Sequence, residues 1–216
     1  MREQLLDAAI RAIDMNGPAV TMREIAAEAS IPKPTLYRFF IDKQEMMVAL
    51  GERVRETILG RISSMPLTPE ATLSDIVHFA LAGYADILIE HPNVFRFLDI
   101  TPTPIGTMDE ALKNPRAVAA AVAGLLEVAL RALGGVPQNA MINAAMIVGA
   151  VTTAGNWWLG QSDPSDGAQE FVSRVEKSVL MMVSVAAEES GVIIDFDEPV
   201  YLRLGGLISG SDNTKP

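Results

Sequence analysis

A chain of 216 residues has room for one small domain and a larger one. It has no cysteine, which excludes disulfides and thiolate metal sites, and its two histidines, His78 and His91, are too few and too far apart for a metal cluster, leaving a histidine–carboxylate site as the weaker alternative. The net charge of −10 repels a polyanion overall, and the opening MREQLLDAA has no apolar signal region, so the expected location is cytoplasmic.

The first helix, within EQLLDAAIRAIDMNGPAVT, ends at Asn16-Gly17. The stretch that follows, Thr21 to Phe40 (TMREIAAEASIPKPTLYRFF), carries the most information. Thr21 is a good N-cap with Glu24 three residues on, which reads as a capping box. Met22, Ile25, Ala26 and Ala29 then form one apolar stripe at helical period. Ser30, Ile31 and Pro32 break that helix. Two prolines push the residues before them out of helical dihedrals, so the next helix can start only near Pro34. Leu36, Phe39 and Phe40 point inward, and Lys33, Thr35, Tyr37 and Arg38 make a compact polar face. A helix this short buries little alone, but braced by its partner it can enter the major groove of DNA. The alternative is an ordinary helical hairpin with a solvated face.

Charge placement favours the first reading. Residues 1–60 hold eight Lys/Arg and nine Asp/Glu, net −1, which leaves nine and eighteen, net −9, for the remainder. In residues 32–43, Lys33, Arg38 and Lys43 face only Asp42, a local basic patch of the kind that meets phosphate. So small a patch implies few phosphate contacts per subunit and calls for a dimer. Lys33 and Arg38 are candidates to donate to guanine or phosphate, and Thr35 to touch a thymine methyl or a phosphate. For each of these the alternative is a solvated surface side chain.

Residues 1–60 resemble the DNA-binding domain of the TetR family of bacterial transcriptional repressors. The resemblance rests on the glycine after the first helix and on TMREIAAEASIPKPTLYRFFIDKQEMM, which has the family's helix, turn, TLY-aromatic, lysine-bearing loop and apolar fourth helix. It covers about a quarter of the chain. Two positions depart from the pattern: Ser30 stands where many members have a turn glycine, and Pro32 where a serine usually caps the recognition helix. The resemblance implies an all-α protein with an N-terminal three-helix helix-turn-helix domain and a larger C-terminal helical ligand-binding and dimerisation domain. It implies phosphate contacts from Tyr37 and Lys43. The DNA-facing set is then Thr21, Lys33, Pro34, Thr35, Tyr37, Arg38 and Lys43.

The rest of the chain is punctuated helix. Met46 to Ile62 continues an apolar stripe through Met47, Leu50, Val54 and Ile58, ended by Pro66 and Pro69. Thr68 caps a helix running to Glu90 with Pro69 at its first position. His91-Pro92 opens a short helix, NVFRFL, and Thr101 to Thr107 is a loop. Asn114-Pro115 starts a helix that ends at Gly134-Gly135. Pro137 starts the next, inside a stretch from Ala132 to Ser162 without one charged residue. That stretch is long enough to span a bilayer, but Asn139, Asn143, Thr152, Thr153 and Asn156 are a heavy polar load for lipid, and burial on several faces is the better reading. Ala144, Ala145, Gly149, Ala150 and Gly155 would let another backbone approach closely. Gln161 to Gly167 is a polar loop. A last helix from Ala168 to Glu189 shows Phe171, Val175, Val179, Met182 and Ala186 on one face. Val192 to Phe196 is a weak strand candidate. The expected domains are 1–45, binding DNA, and 46–205, binding effector and a second subunit, followed by a mobile tail at 206–216.

The expected function is a ligand-responsive regulator, in the family's manner a repressor, which binds a palindromic operator as a homodimer and is released by a small molecule. The resemblance implies an effector pocket between the helices of the larger domain. The aromatic and methionine side chains Phe79, Tyr84, Phe95, Phe97, Met108, Met146, Trp157 and Trp158 are candidate walls, and His78, Tyr84, Asn143 and Asn156 candidate polar handles. The narrower ligand set is Phe79, Tyr84, Phe95, Met108, Asn143, Met146 and Trp157, for a largely apolar effector. Plain core is the alternative for each. No cofactor is called for. Catalysis has little support: no GxSxG elbow, phosphate-cradling glycine loop or HExxH helix occurs, and Asp86, Glu90 and Asp99 offer only a weak acid–base pairing. The competing class is a helical carrier or scaffold that binds a ligand but no DNA.

Overall fold

The structure, a computed structural model, describes residues 1–64, 68–100, 113–161 and 167–199. The expected loop at Thr101 to Thr107, the tail at 206–216, Met108 and all of the loop after Gln161 except Gly167 lie outside the described residues. Among the described residues every regular element is helical: α1 Arg2–Asn16, α2 Met22–Glu28, α3 Lys33–Tyr37, α4 Lys43–Ser63, α5 Leu73–Glu90, α6 Pro92–Ile100, α7 Lys113–Ala132, α8 Ala140–Leu159 and α9 Ala168–Glu189. An N-terminal helix-turn-helix unit thus leads into a larger helical body.

Two apolar cores hold these helices. The first gathers Leu5, Leu6, Ala9 and Ile13 of α1, Ile25 of α2, Leu36 of α3, Phe40, and Met46 and Leu50 of α4. It also takes in Val94 and Phe97 of α6, while Phe95 of the same helix packs on the second core, so the short helix bridges the two. The second joins Leu81, Tyr84 and Leu88 of α5 to Ala144, Ile147 and Trp158 of α8 and Phe171, Val175, Val179 and Val183 of α9. Each such fully buried aliphatic or aromatic side chain contributes about 1.5–3 kcal/mol. Helix α4 runs unbroken across positions 45 and 46 and serves both cores, with Leu50 in the first and Ile58 packed against the second.

Three element starts differ from the sequence reading. Helix α5 begins at Leu73, not near Pro69, because Thr72 and Asp75 form a complete capping box: the Thr72 hydroxyl accepts from the Asp75 N–H at 3.1 Å, and the Asp75 carboxylate accepts from the Thr72 N–H at 2.9 Å. Thr68 instead closes a turn, its carbonyl accepting the Ala71 N–H. Helix α8 begins at Ala140, three residues after Pro137, with Asn139 in the left-handed region as its N-cap. Helix α3 begins at Lys33, with Pro32 as N-cap and Pro34 in its first turn. Val192 to Phe196 is not a strand. It passes beside the start of α5, where Ser74 N–H donates to the Phe196 carbonyl and Thr72 makes an isolated bridge with Pro199.

The uncharged helix α8 is sided. Ala144 and Gly155 turn inward, whereas Met141, Ile142, Ala145, Met146, Gly149, Ala150 and Trp157 form an exposed apolar face. Among the described residues no helix is long and apolar enough to cross a membrane.

Candidate functional site

The helix-turn-helix is built from local signals. Thr21 caps α2 with both its groups: its N–H donates to the Glu24 carboxylate at 2.7 Å, and its hydroxyl accepts the Glu24 N–H at 3.3 Å. The Thr21 N–H and hydroxyl together hold the Glu24 carboxyl below its ordinary range. The helix ends on Ser30, which adopts φ 54°. Ser30 N–H reaches the Ala27 carbonyl and Ile31 N–H the Ala26 carbonyl, the paired bonds of a Schellman turn. A serine therefore fills a left-handed position that glycine would occupy without a steric cost. The turn delivers α3 with Leu36 fully buried and Phe39 half-buried, while Lys33, Pro34, Tyr37 and Arg38 stand exposed and Thr35 is partly covered.

On that face the Lys33 ammonium lies over the Tyr37 ring at 5.4 Å from its centroid. Neither Lys33 nor Arg38 has an acidic partner among the described residues, so both charges are free to meet an anion. Lys43 behaves differently. It opens α4, and its ammonium lies 4.8 Å from the centroid of Phe97 in α6.

The N-terminal unit is tied to the body by ion pairs. Arg53 of α4 engages Glu3 and Asp7 of α1, the latter at 2.8 Å. Arg61 near the end of α4 reaches Glu90 at 3.0 Å and Asp86 at 3.8 Å, so the two carboxylates that share a face of α5 meet a common cation. His91 Nδ1 lies 2.8 Å from the Asp14 carboxylate, and the Asn93 amide donates to the Asp14 carbonyl at 3.1 Å.

Behind α4 lies a cavity of about 640 Å³ bounded by α4, α5, α7, α8, α9 and the 194–199 segment. Its walls are almost wholly aliphatic, with Met47, Val54, Ile58 and Ile62 from α4, Leu73 and Ile76 from α5, Val122 and Leu126 from α7, and Ile147 and Val151 from α8. Tyr84 supplies its aromatic side chain, in edge-to-face contact with Phe95, and burial pushes its hydroxyl well above the usual phenol range. The volume and lining are those of a small-molecule site.

Residues 5–50 match the family model described as bacterial regulatory proteins, tetR family. Those residues place the N-terminal unit of the chain in the TetR family. A transcriptional regulator of the helix-turn-helix type from Mycobacterium tuberculosis is 26% identical over 171 residues, 79% of this chain and 72% of the relative. A TetR-family regulator from Pectobacterium atrosepticum superposes with a TM-score of 0.64 at 17% identity, over 90% of this chain and 94% of its own. The regulator FadR from Bacillus subtilis, solved with stearoyl-CoA, gives 0.61 at 16% identity, over 81% and 97%. The helix-turn-helix match and the regulator relative together support a DNA-binding regulator of transcription.

Four of the seven sequence-derived DNA residues share one exposed face. Lys33, Pro34, Tyr37 and Arg38 are contiguous and exposed; Thr35 sits at their margin; Thr21 spends its N–H and hydroxyl on the cap; Lys43 leans on Phe97. The ligand candidates are scattered. Tyr84 lines the cavity. Phe95 touches Tyr84 from behind, and Phe79 is half-buried outside the lining. Asn143 is buried, with its amide donating to Glu189 at 3.2 Å. Met146 and Trp157 lie on the exposed face of α8. Trp158 stacks on Phe171, with centroids 4.5 Å apart, and His78 pairs with Glu176 at the surface. The aliphatic lining residues escaped the sequence reading because isoleucine and valine at helical spacing look the same in a cavity wall and in a solid core.

Proposed function

We propose that the protein is a repressor that binds a palindromic operator as a dimer and is released by a small, largely apolar effector. The observation that carries the reading is the double duty of α4. Its start, Asp42–Lys43, follows the recognition helix α3 directly, and its Met47, Gly51, Val54, Ile58 and Ile62 form one wall of the cavity. A molecule lodged there pushes on the helix that sets the angle of α3. In free energy the effector need only prefer the non-binding arrangement by a few kcal/mol.

The division of labour follows: residues 1–45 contact DNA, and residues 46–205 hold effector and partner. Lys33 and Arg38 supply phosphate or guanine contacts, Tyr37 and Lys43 phosphate contacts, and Thr21, Pro34 and Thr35 the margin of the interface. The second copy covers the open apolar face of α8 and α9, where Met141, Ile142, Met146, Trp157, Met181 and Val185 are each at least half exposed. Two recognition helices about 34 Å apart then read successive major grooves. The test is selection of bound fragments from random duplexes, with size measured by light scattering. Inverted repeats bound by a dimer, with affinity falling steeply in salt, are expected. A monomer indifferent to every duplex at low ionic strength would refute it and favour the ligand-carrier reading.

A further inference from the structure

The cavity's polarity specifies its occupant more closely than its size does. Its walls are mainly aliphatic; Gln44 is half-buried near the start of α4, and the hydroxyl of Thr152 is already committed, donating to the Val148 carbonyl at 2.8 Å. Tyr84 is different. The residue is only 8% exposed, it lines the cavity, and its hydroxyl, which lies beside Gly155 of α8, has no hydrogen-bond partner among the described residues. Of the charged lining residues, Arg55 is half-buried and 3.5 Å from Glu56, Glu198 is half-buried, and Asp195 is exposed. A charged group placed among the aliphatic walls would be stripped of water, whereas an unpaired phenol O–H beside them is an unmet donor.

We propose that the cavity takes an uncharged, mainly aliphatic molecule whose buried polar group is a hydrogen-bond acceptor, such as a ketone or ester carbonyl, received by the Tyr84 hydroxyl. The inference rests on the effector reading of the cavity, and its test needs no DNA. The full-length protein is titrated with undecane, 2-undecanone, 6-undecanone, decanoate and decyltrimethylammonium, with heat or tryptophan emission as readout. At least one ketone is expected to bind ten times more tightly than undecane and than either ion. Tyr84→Phe abolishes that tenfold advantage and leaves undecane binding as it was, which also shows that the variant is folded. Equal binding of ketone and alkane by the wild-type chain overturns the proposal whether or not the variant folds. So does tighter binding of either ion, or a ketone advantage that survives Tyr84→Phe. Failure of all five probes overturns the proposal and counts against the cavity as an effector site, leaving the DNA-binding reading untouched.

Discussion

Gly155→Ala is the substitution whose outcome the packing determines most sharply. Gly155 lies in α8 with its backbone against α5. A Cβ there would stand 2.7 Å from the Tyr84 hydroxyl oxygen, and 3.0 Å from both Tyr84 Cε1 and Leu88 Cδ1. Leu88 is fully buried, so relief requires the Tyr84 ring to swing into the cavity or α5 and α8 to part. Overpacking of this kind costs about 1–3 kcal/mol. Replacing a helical glycine returns about 1 kcal/mol of backbone entropy. The net is a loss of about 1 kcal/mol, a fall in Tm of about 2–4 °C for a chain of this size. Gly124 supplies the control: it is an exposed glycine inside α7, and a Cβ there meets nothing within 4 Å. Gly124→Ala should raise Tm by about 2–4 °C. Both variants are measured by thermal unfolding at one protein concentration, since association would shift Tm. Adding Tyr84→Phe to Gly155→Ala removes the shortest contact, so the pair should cost less than the sum of its parts. If Gly155→Ala stabilises as much as Gly124→Ala, the close approach of α8 to Tyr84 is wrong.

Tyr37→Phe and Lys43→Ala should each weaken operator binding while leaving fold and dimer intact. Lys43→Ala removes one phosphate contact per subunit and lowers the salt slope of a dimer by about 2. An unchanged slope would instead assign Lys43 to its Phe97 contact alone. Ser30→Gly should stabilise the N-terminal unit by roughly 0.5–1 kcal/mol, since serine at φ 54° bears a steric cost that glycine avoids, and a lower denaturant midpoint would contradict this. Glu24 and Asp75 are both held below their ordinary values of 4.5 and 3.8 by their capping threonines. Their contribution is therefore present above those values and lost as the pH falls through the lower folded-state ones. Glu24→Gln and Asp75→Asn should each make the decline of stability in acid shallower than in the wild type. Curves of equal steepness would remove the capping boxes from the explanation.

What the sequence by itself determined is what short-range chemistry controls. The Thr21–Glu24 box, the break at Ser30 to Pro32, the polar face of Lys33, Tyr37 and Arg38, and the end of α9 at Glu189 follow from interactions between residues a few positions apart. Even the misplaced start of α5 was a local matter, since Thr72 and Asp75 have the capping spacing and win over a proline at Pro69. Only the tertiary structure decided the rest. A helix as uniformly apolar as α8 carries no mark of which side faces inward, so it took the packing of α5, α7 and α9 to turn Ala144 and Gly155 in and Ala145, Gly149 and Trp157 out. The same holds for Ile58 and Val151, which line a cavity by virtue of helices that stand apart. Arg61 meets Glu90, and Arg53 meets Asp7, across separations of 29 and 46 residues. Charges and apolar surfaces choose such partners by distance in space, and that distance exists only once the chain has folded.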